Sequence, residues 1–299
     1  MLSKNISIFR KKQIFISKSS LEISIVKIER MSDSVGAIIH GVDVRHLEDP
    51  NEIADIYNLW LKYQVLVFRD QELSPADQLR FSRLMGEPDR YPFLKGMPEY
   101  PEITVVLKKK EERINFGGVW HTDTLYQERP PKASMLYAVT LPPVGGDTLF
   151  ANQYDAYTLL PSEIKELIEG KKALSRSDPA SVAETRKDRM KDQQSTPHQP
   201  SLWGLHPIVR RHPETGRRSL FVSPAHTTEI EGMPSEEAGE LLSELFQYQT
   251  RESIIARQRW QKNDLVVWDN RCLLHLPLND YHGYERRLHR ITLKGDVPS

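Results

Sequence analysis

The chain has 299 residues, enough for one large domain or two modest ones, and its 41 basic residues balance its 41 acidic residues. A neutral chain lacks the field that draws proteins onto nucleic acid or anionic lipid, so we expect neither as a partner. The single cysteine excludes an intramolecular disulfide and fits a reducing cytoplasm. No apolar run is long enough for a membrane span. We therefore expect a cytoplasmic protein whose partners are small molecules and further copies of itself, in a dimer or tetramer.

The N-terminal segment is basic, with five Lys or Arg among its first twenty residues and no acid before Glu22. We interpret residues 1–21 as a basic tail, with a transit peptide or an ordered arm on a partner subunit as the alternatives. The rest of the chain, residues 22–299, is predicted to form a single domain.

Strand and helix signals alternate along that domain. EISIVKIE from Glu22 has the period-two pattern of a strand, and VGAIIHGVDV continues with strand-forming residues. Asp49-Pro50 opens a helix, and Ser74-Pro75 opens a second one after the apolar strand VLVF. A third helix is predicted from residue 235 to about residue 248. Further strands are predicted over residues 103–107, 134–139, 205–209, 219–222, 265–268 and 288–293.

A polar stretch over residues 170–200 interrupts this pattern, because it contains almost no large apolar side chains. We expect a surface excursion there, either a mobile lid or a plain solvated insertion. Strands flank both ends of the chain with helices inserted between them. This order favours a mainly β, α+β fold built on an antiparallel β-sandwich or jelly roll rather than a doubly wound sheet.

Three H-x-[DE] triplets occur, and this spacing sets an imidazole and a carboxylate on one side of a strand or extended turn. The triplets that begin at His46 and at His212 lie before a helix and in a turn, so we interpret both as surface polar residues. His121-Thr-Asp123 lies in GGVWHTDTLY, an aromatic and nearly uncharged segment that is typical of a pocket wall. A structural His–Asp pair is the alternative interpretation of that triplet.

A third candidate ligand is His275, which follows an apolar strand in LVVWDNRCLLHLPL. Alone it would be interpreted as a core histidine. With His121 and Asp123 it completes a set of two histidines and one carboxylate, which leaves open positions on octahedral Fe(II) for an oxo acid and dioxygen. Hydrolytic zinc with the same ligands is the alternative from coordination chemistry alone.

Arginines on the last predicted strand favour the iron interpretation. In YERRLHRITLKGD, Arg286 and Arg290 share one face of a strand and Arg287 points to the other. A 2-oxo acid that chelates iron keeps a distal carboxylate, and a bidentate guanidinium suits that group. Ordinary surface arginines on an edge strand are the alternative.

Several segments together resemble the taurine dioxygenase (TauD/TfdA) family of Fe(II)/2-oxoglutarate-dependent dioxygenases. They are WHTDT, GGDTLFAN, SLFVSPAHTTEI, WDNRCLLH and RRLHRITLKGD, and the resemblance covers about residues 23 to 297. It implies a double-stranded β-helix core with flanking helices. It also implies an enzyme that uses Fe(II), 2-oxoglutarate and O2 to oxidise a substrate C–H bond, most simply by hydroxylation, with release of succinate and CO2.

The resemblance assigns roles to five residues around the metal. His121, Asp123 and His275 would bind the iron, and Thr148 and Arg286 would hold the distal carboxylate of 2-oxoglutarate. The turn WDN over residues 268–270 resembles the family's own and is expected to position the distal histidine ligand.

Four further residues are implied at the substrate. Arg290 would face it, and Tyr91 aligns with a substrate-lining tyrosine. His226 stands where taurine-specific members have an aromatic hydrocarbon ring, and Gly117 stands where sulfonate users have an asparagine. These departures disfavour taurine itself. We predict a small anionic substrate, because a second buried arginine beside the iron would otherwise be unpaired. The alternative is that Arg290 pairs with an internal Asp or Glu and serves stability alone.

Two alternatives stay open at this level. The same iron site could catalyse desaturation, cyclisation or isonitrile formation in a biosynthetic pathway. A non-catalytic binding protein on the same scaffold would be signalled by loss of a metal ligand, and the sequence retains all three.

Overall fold

The computed structural model describes residues 13–19, 22–91, 94–115, 117–177 and 202–299, with side chains from Lys27 onward. Seventeen strands and five α-helices lie within these ranges. The helices are α1 (Pro50–Tyr63), α2 (Pro75–Met85), α3 (Gln153–Leu159), α4 (Ser162–Ile168) and α5 (Ser235–Gln249). The strands are β1 (Gln13–Ser19), β2 (Glu22–Arg30), β3 (Ala37–His40), β4 (Val65–Phe68), β5 (Pro88–Asp89), β6 (Thr104–Lys108), β7 (Ala133–Thr140), β8 (Thr148–Asn152), β9 (Lys172–Arg176), β10 (Trp203–Pro207), β11 (Val209–Arg211), β12 (Arg218–Leu220), β13 (Thr227–Ile230), β14 (Ile255–Gln258), β15 (Leu265–Asp269), β16 (Leu273–Pro277) and β17 (Arg286–Leu293).

Nine strands of the described chain form one large sheet. Its order is β1-β2-β3-β4-β15-β7-β17-β5, and β6 also pairs with β17. The strands pair antiparallel, apart from the parallel pair of β3 and β4. A smaller antiparallel sheet has the order β14-β8-β16. The remaining described strands form the sheets β10-β9-β13 and β11-β12.

The first two helices begin at the positions that the sequence predicts. The Asp49 carboxylate accepts a hydrogen bond from the backbone N–H of Asn51, and proline occupies the first turn of α1. In α2, Ser74 and Asp77 cap each other's backbone N–H groups in a reciprocal capping box. The predicted third helix is confirmed as α5, and its observed end differs by one residue.

The large sheet is covered on both faces. On β4, Leu66 and Phe68 pack with Trp60 of α1, whereas Val65 and Val67 pack with Phe150 of the small sheet. This explains why VLVF is apolar throughout, since neither face of the strand meets water. The two sheets therefore face each other, and α1 and α2 cover the outer face of the large one.

Alternation along β17 places Arg286 and Arg290 between the two sheets. Ile291 and Leu293 pack in the helix-side core. Arg286 and Arg290 are buried on the other face, and Arg287 is half-buried. The predicted facing of these three arginines is confirmed.

Two predicted segments differ from the structure. Strand β1 lies inside the predicted tail of residues 1–21, and it pairs with β2 because its sequence is rich in strand-forming residues. Strand β9 occupies the start of the predicted lid, residues 170–200, where Ala173 is buried. Residues 1–12 and 178–201 lie outside the described residues. Among the helices that are described, none is long and apolar enough to cross a membrane.

Candidate active site

Strand pairing brings the two predicted histidine ligands side by side. The backbone N–H of His121 donates to the carbonyl of His275 at 3.1 Å, and the N–H of His275 donates back at 2.8 Å. This isolated β-bridge sets the two imidazole centroids 4.1 Å apart. Two residues 154 positions apart in sequence thus meet at the middle of β16.

The third predicted ligand completes the group. Asp123 Oδ1 lies 3.7 Å from His121 Nε2 and 3.9 Å from His275 Nε2. The candidate ligand atoms of all three lie within 4.8 Å of one another, and the three residues are buried. Two imidazoles and one carboxylate this close together are a donor set that would suit a single divalent ion such as Fe(II).

The protonation states suit a metal. Burial raises the pKa of Asp123, but the charges of Arg290, His275 and His121 outweigh it and hold that pKa at about 2. Burial is also the main reason that the pKa of His275 lies well below its usual value. An ionised carboxylate and a neutral imidazole are the forms that bind a metal without first losing a proton.

A chain of hydrogen bonds orients the Asp123 carboxylate. The Ser134 hydroxyl donates to Oδ2 of Asp123. The Asn270 amide donates to Ser134 at 2.9 Å, and the Trp268 indole donates to Asn270 at 2.9 Å. The turn WDN was expected to position His275. The Trp268 ring lies 4.9 Å from the His275 ring, in agreement with that expectation, and Asn270 is linked through Ser134 to Asp123 as well.

His121 is oriented by its own segment. Its Nδ1 lies 2.7 Å from the Val119 carbonyl, so Nδ1 carries the proton and Nε2 is left with a lone pair. Gly117 lies against this ring with a φ of +78°. A Cβ at that position would lie 2.8 Å from Cε1 of His121. Gly117 therefore permits the close approach of its loop to the candidate ligand.

The predicted co-substrate residues lie together between the two sheets. Thr148 begins β8, and its hydroxyl accepts a hydrogen bond from the Trp260 indole at 3.0 Å. Arg286 is 6% exposed, and its Nε and Nη2 have no hydrogen-bond partner among the described residues. Burial lowers the pKa of this guanidinium. Unsatisfied buried donors are costly, so the site fits an incoming carboxylate.

Arg290 differs from the expectation of a buried, unpaired cation. Its Nη2 lies 3.0 Å from Oδ2 of Asp123, close enough for an ion pair. Its Nε and Nη2 nevertheless make no hydrogen bond with any described residue, because the angle to Asp123 is poor. The guanidinium also lies 4.6 Å above the Tyr91 ring. Arg290 thus has a countercharge and keeps unused donors.

His226 is buried beside the metal ligands. Its ring centroid lies 5.0 Å from that of Tyr126 and 6.3 Å from that of His121. Its Nδ1 lies 3.1 Å from the Arg176 carbonyl. The ring is therefore held in a fixed orientation next to the first iron-ligand candidate.

One cavity collects six of the nine predicted residues. Tyr91, His226 and Gly117 are not among its walls, but each packs against a residue that is. The walls are formed by Val106, His121, Asp123, Leu136, Thr148, Trp268, His275, Pro277, Arg286 and Arg290.

Sequence reasoning missed some of the residues that support this cavity. Ser134 and Leu136 alternate on β7, so the period-two pattern could have placed them on the inner face. Trp260 reaches Thr148 across 112 residues, and no local signal predicts that contact.

His212 was predicted to be a surface residue, and this is wrong, whereas Glu214 of the same triplet is exposed as predicted. His212 is 1% exposed, and its Nε2 lies 3.0 Å from Oδ2 of Asp269. Its Nδ1 accepts backbone N–H bonds from Glu214 and Thr215 at 3.2 and 3.1 Å. Although Cys272 is also close, the His212 ring nitrogens are satisfied within the protein, so the cluster is structural. His46, in contrast, is exposed as predicted.

Comparison with known proteins identifies the family. The family described as taurine catabolism dioxygenase TauD, TfdA family matches residues 27–292. The chain belongs to this family. Its members are 2-oxoglutarate-dependent dioxygenases that use Fe(II) and O2, and this chain presents the His121–Asp123–His275 group as its candidate metal site.

Three relatives place the chain within that family. It is 31% identical to the α-ketoglutarate-dependent 2,4-dichlorophenoxyacetate dioxygenase of Cupriavidus pinatubonensis, over 87% of this chain and 94% of the relative. It is 30% identical to the α-ketoglutarate-dependent sulfate ester dioxygenase of Pseudomonas putida, over 91% of this chain and 90% of the relative. A taurine dioxygenase crystal structure from Burkholderia xenovorans is 33% identical, with a TM-score of 0.77 over 91% and 92% of the two chains.

Proposed function

We propose that this enzyme hydroxylates a C–H bond of a small anionic molecule and releases succinate and CO2. One observation carries the proposal: a buried cavity contains both a set of two histidines and one carboxylate and an arginine, Arg286, with unused donors. His121, Asp123 and His275 would bind Fe(II). The metal, when bound, would couple oxidative decarboxylation of 2-oxoglutarate by O2 to oxidation of the substrate.

The protein's own residues would bind and orient the reactants. Arg286 would pair with the distal carboxylate of 2-oxoglutarate, and the Thr148 hydroxyl would donate to the same group while it accepts from Trp260. Val106 and Leu136 would exclude water from the reacting centre, since both line the cavity. Positioning of the substrate C–H bond is then the main contribution of the fold.

We also infer that residues 22–299 form one domain with a double-stranded β-helix, or jelly-roll, core. The support is that a large, mainly antiparallel sheet faces the small antiparallel sheet β14-β8-β16. The candidate ligands would then lie at one end of the space between the sheets.

The proposed substrate anion would pair with Arg290. The unused donors of this guanidinium support that role, and its stacking on Tyr91 holds it in place. His226 would add a hydrogen bond from the side of His121. The relatives described above are named for 2,4-dichlorophenoxyacetate, a sulfate ester and taurine, each of which carries an anionic group. A carboxylate, sulfonate, sulfate or phosphonate other than taurine is our expectation.

The test is a screen of small anions for substrate-dependent succinate release with Fe(II) and ascorbate. Each active anion is paired with a neutral analogue and assayed with Arg290→Ala and with Arg287→Ala as the half-buried control. Arg290→Ala should lower kcat/KM for the anion, with a loss of transition-state stabilisation of about 2 to 5 kcal/mol. It should leave kcat/KM for the neutral analogue unchanged. Because Arg290 lies beside Asp123, the metal content of each variant is measured as well.

Two results would contradict the proposal. Equal losses toward anionic and neutral substrates would remove the anion-pairing role, and so would a neutral or cationic best substrate. Mass analysis of the product distinguishes gain of one oxygen from loss of two hydrogens, and the latter would indicate desaturation instead of hydroxylation.

A further inference from the structure

A second cation is buried beside Arg286. Lys108, the last residue of β6, is the direct cross-strand partner of Arg286 on β17. Directly opposed residues of an antiparallel pair project from the same face of a sheet. Lys108 is 3% exposed and Arg286 is 6% exposed. Two cationic side chains therefore enter the space between the sheets next to each other.

Both cations border a second, smaller cavity. Its walls are Val106, Leu107, Lys108, Asn115, Tyr281 and Arg286. Val106 and Arg286 also belong to the walls of the cavity that holds the metal candidates. The two cavities thus adjoin at Arg286, at the end where the distal carboxylate of a chelated oxo acid would lie.

Tyr281 organises the two cations. Its ring centroid lies 4.4 Å from Lys108 Nζ and 6.0 Å from Arg286 Cζ. An aromatic ring holds cations in place through its quadrupole without neutralising their charge.

Asp147, the acidic residue that interacts electrostatically with Arg286, already pairs with another arginine. Burial lowers the pKa of Arg286, and Tyr281 and then Asp147 oppose that shift electrostatically. The Asp147 Oδ2 atom, however, accepts a hydrogen bond from Arg257 Nε at 2.6 Å. Like charges placed directly opposite on neighbouring strands destabilise a sheet. An anion bound between the two cations would offset their mutual repulsion.

We propose that Lys108 and Arg286 together bind the distal carboxylate of the 2-oxo acid, which makes Lys108 a second determinant of co-substrate selection. The inference rests on the proposed function. Arg286 offers a planar fork, and Lys108 adds a point charge from the neighbouring strand. The consequence is strong discrimination between dicarboxylic and monocarboxylic 2-oxo acids of equal chain length.

Calorimetric titration of the full chain loaded with Mn(II) tests this without turnover. The ligands are 2-oxoglutarate and 2-oxopentanoate, which has five carbons but no distal carboxylate. Lys108→Met should weaken 2-oxoglutarate binding about tenfold or more and leave 2-oxopentanoate binding within about twofold. Lys108→Arg should restore most of the discrimination. Lys110→Met, at an exposed position on the same segment, is the matched control and should change neither ligand.

An unchanged ratio of the two dissociation constants in Lys108→Met would overturn the inference. Equal weakening of both ligands would also overturn it, because it would assign Lys108 a structural role. If Lys108→Met does not fold, Lys108→Gln takes its place. Arg286→Lys shows whether only the role of Lys108 is wrong or the whole proposed co-substrate site. If Arg286→Lys also leaves the ratio of the two dissociation constants unchanged, the proposed co-substrate site itself is wrong. If it lowers the ratio while Lys108→Met does not, only the role of Lys108 fails.

Discussion

At the scale of single residues, the two oxygens of Asp123 have different surroundings. Oδ1 faces the Nε2 atoms of both histidines. Oδ2 accepts the Ser134 hydrogen bond and lies beside the Arg290 guanidinium. We infer that Oδ1 is the metal-facing oxygen and that Oδ2 fixes the orientation of the carboxylate.

Ser134→Ala tests this division. Loss of the hydroxyl removes the hydrogen bond to Asp123 and leaves Asn270 without its acceptor, so we expect metal affinity to fall about tenfold to hundredfold. Titration of the apoprotein with Fe(II) under anaerobic conditions measures it. Ser82→Ala removes a buried hydroxyl from α2 and should leave affinity unchanged. Wild-type affinity in Ser134→Ala would contradict the assigned role.

Gly117→Ala should disturb His121 directly. The new methyl group would lie 2.8 Å from the imidazole, and the φ of +78° disfavours any residue with a Cβ. We expect weaker metal binding and a lower kcat, with a smaller change in unfolding temperature. Gly216→Ala has a similar φ of +68° but open space around it, so it reports the cost of backbone strain alone. Equal effects of the two variants on metal binding would refute the explanation.

At the scale of elements, the connection between β15 and β16 is held by a buried ion-pair network. Arg271 donates from Nε and Nη2 to the two Asp269 oxygens at 2.8 and 2.7 Å, and from Nη1 to Glu214. Burial opposes ionisation of Asp269, but Arg271 holds the pKa of this carboxyl well below its usual value. This connection leads into β16, which carries His275, so the network helps to hold the candidate metal ligand in position.

Arg271→Met should therefore lower the free energy of unfolding by about 3 to 5 kcal/mol at pH 7, because it leaves the buried Asp269 carboxylate without its countercharge. Since the folded-state pKa of Asp269 is depressed, its contribution is present above the unfolded value near 3.8 and is lost as pH falls below it. The difference between parent and variant should thus shrink on acidification. Urea unfolding measures both. Arg217→Met, at a half-exposed position, removes a weak ion pair and a stacking contact with Tyr154 and should cost no more than about 1 kcal/mol. A loss there as large as that of Arg271→Met would contradict the account.

At the scale of the whole molecule, local sequence patterns predicted helices and strands, but they did not predict contacts between residues that are distant in sequence. Helix starts at Asp49 and Ser74 depend on capping by residues within three positions, which the sequence displays. The burial of His212 depends on Asp269, 57 residues away, and a polar turn sequence gives no sign of it. The three candidate ligands were found because their chemistry restricts the residue types that can serve.

Asp264 links parts of the molecule that are distant in sequence, and it makes stability depend on pH. Its carboxylate accepts from Gln258 of β14 at 2.9 Å and pairs with Arg69 after β4. Burial is the main cause that raises its pKa from 3.8 to about 6. The folded state therefore holds this proton more tightly than the unfolded chain does, and stability falls as pH rises between these two values.

Asp264→Asn removes that titration. The free energy of unfolding of the parent relative to the variant should decrease by roughly 2 to 3 kcal/mol between pH 4 and pH 7, because most of the interval between the unfolded pKa of 3.8 and the folded pKa of about 6 lies in that range. Thermal and urea unfolding across that range measure it. The exposed Asp55→Asn is the control, and its profile should run parallel to the parent. A pH-independent difference for Asp264→Asn would contradict the prediction.

The central claim is that His121, Asp123 and His275 form an Fe(II) site for 2-oxoglutarate oxidation. Release of CO2 from 2-oxoglutarate labelled at its first carbon, assayed with Fe(II), ascorbate and O2, tests it most directly. We predict release by the parent and by the exposed-site control His282→Ala. In alanine variants of the three ligands that remain folded, the rate of CO2 release should fall about a hundredfold or more. Undiminished release by any one of them, or turnover with zinc and none with Fe(II), would contradict the account.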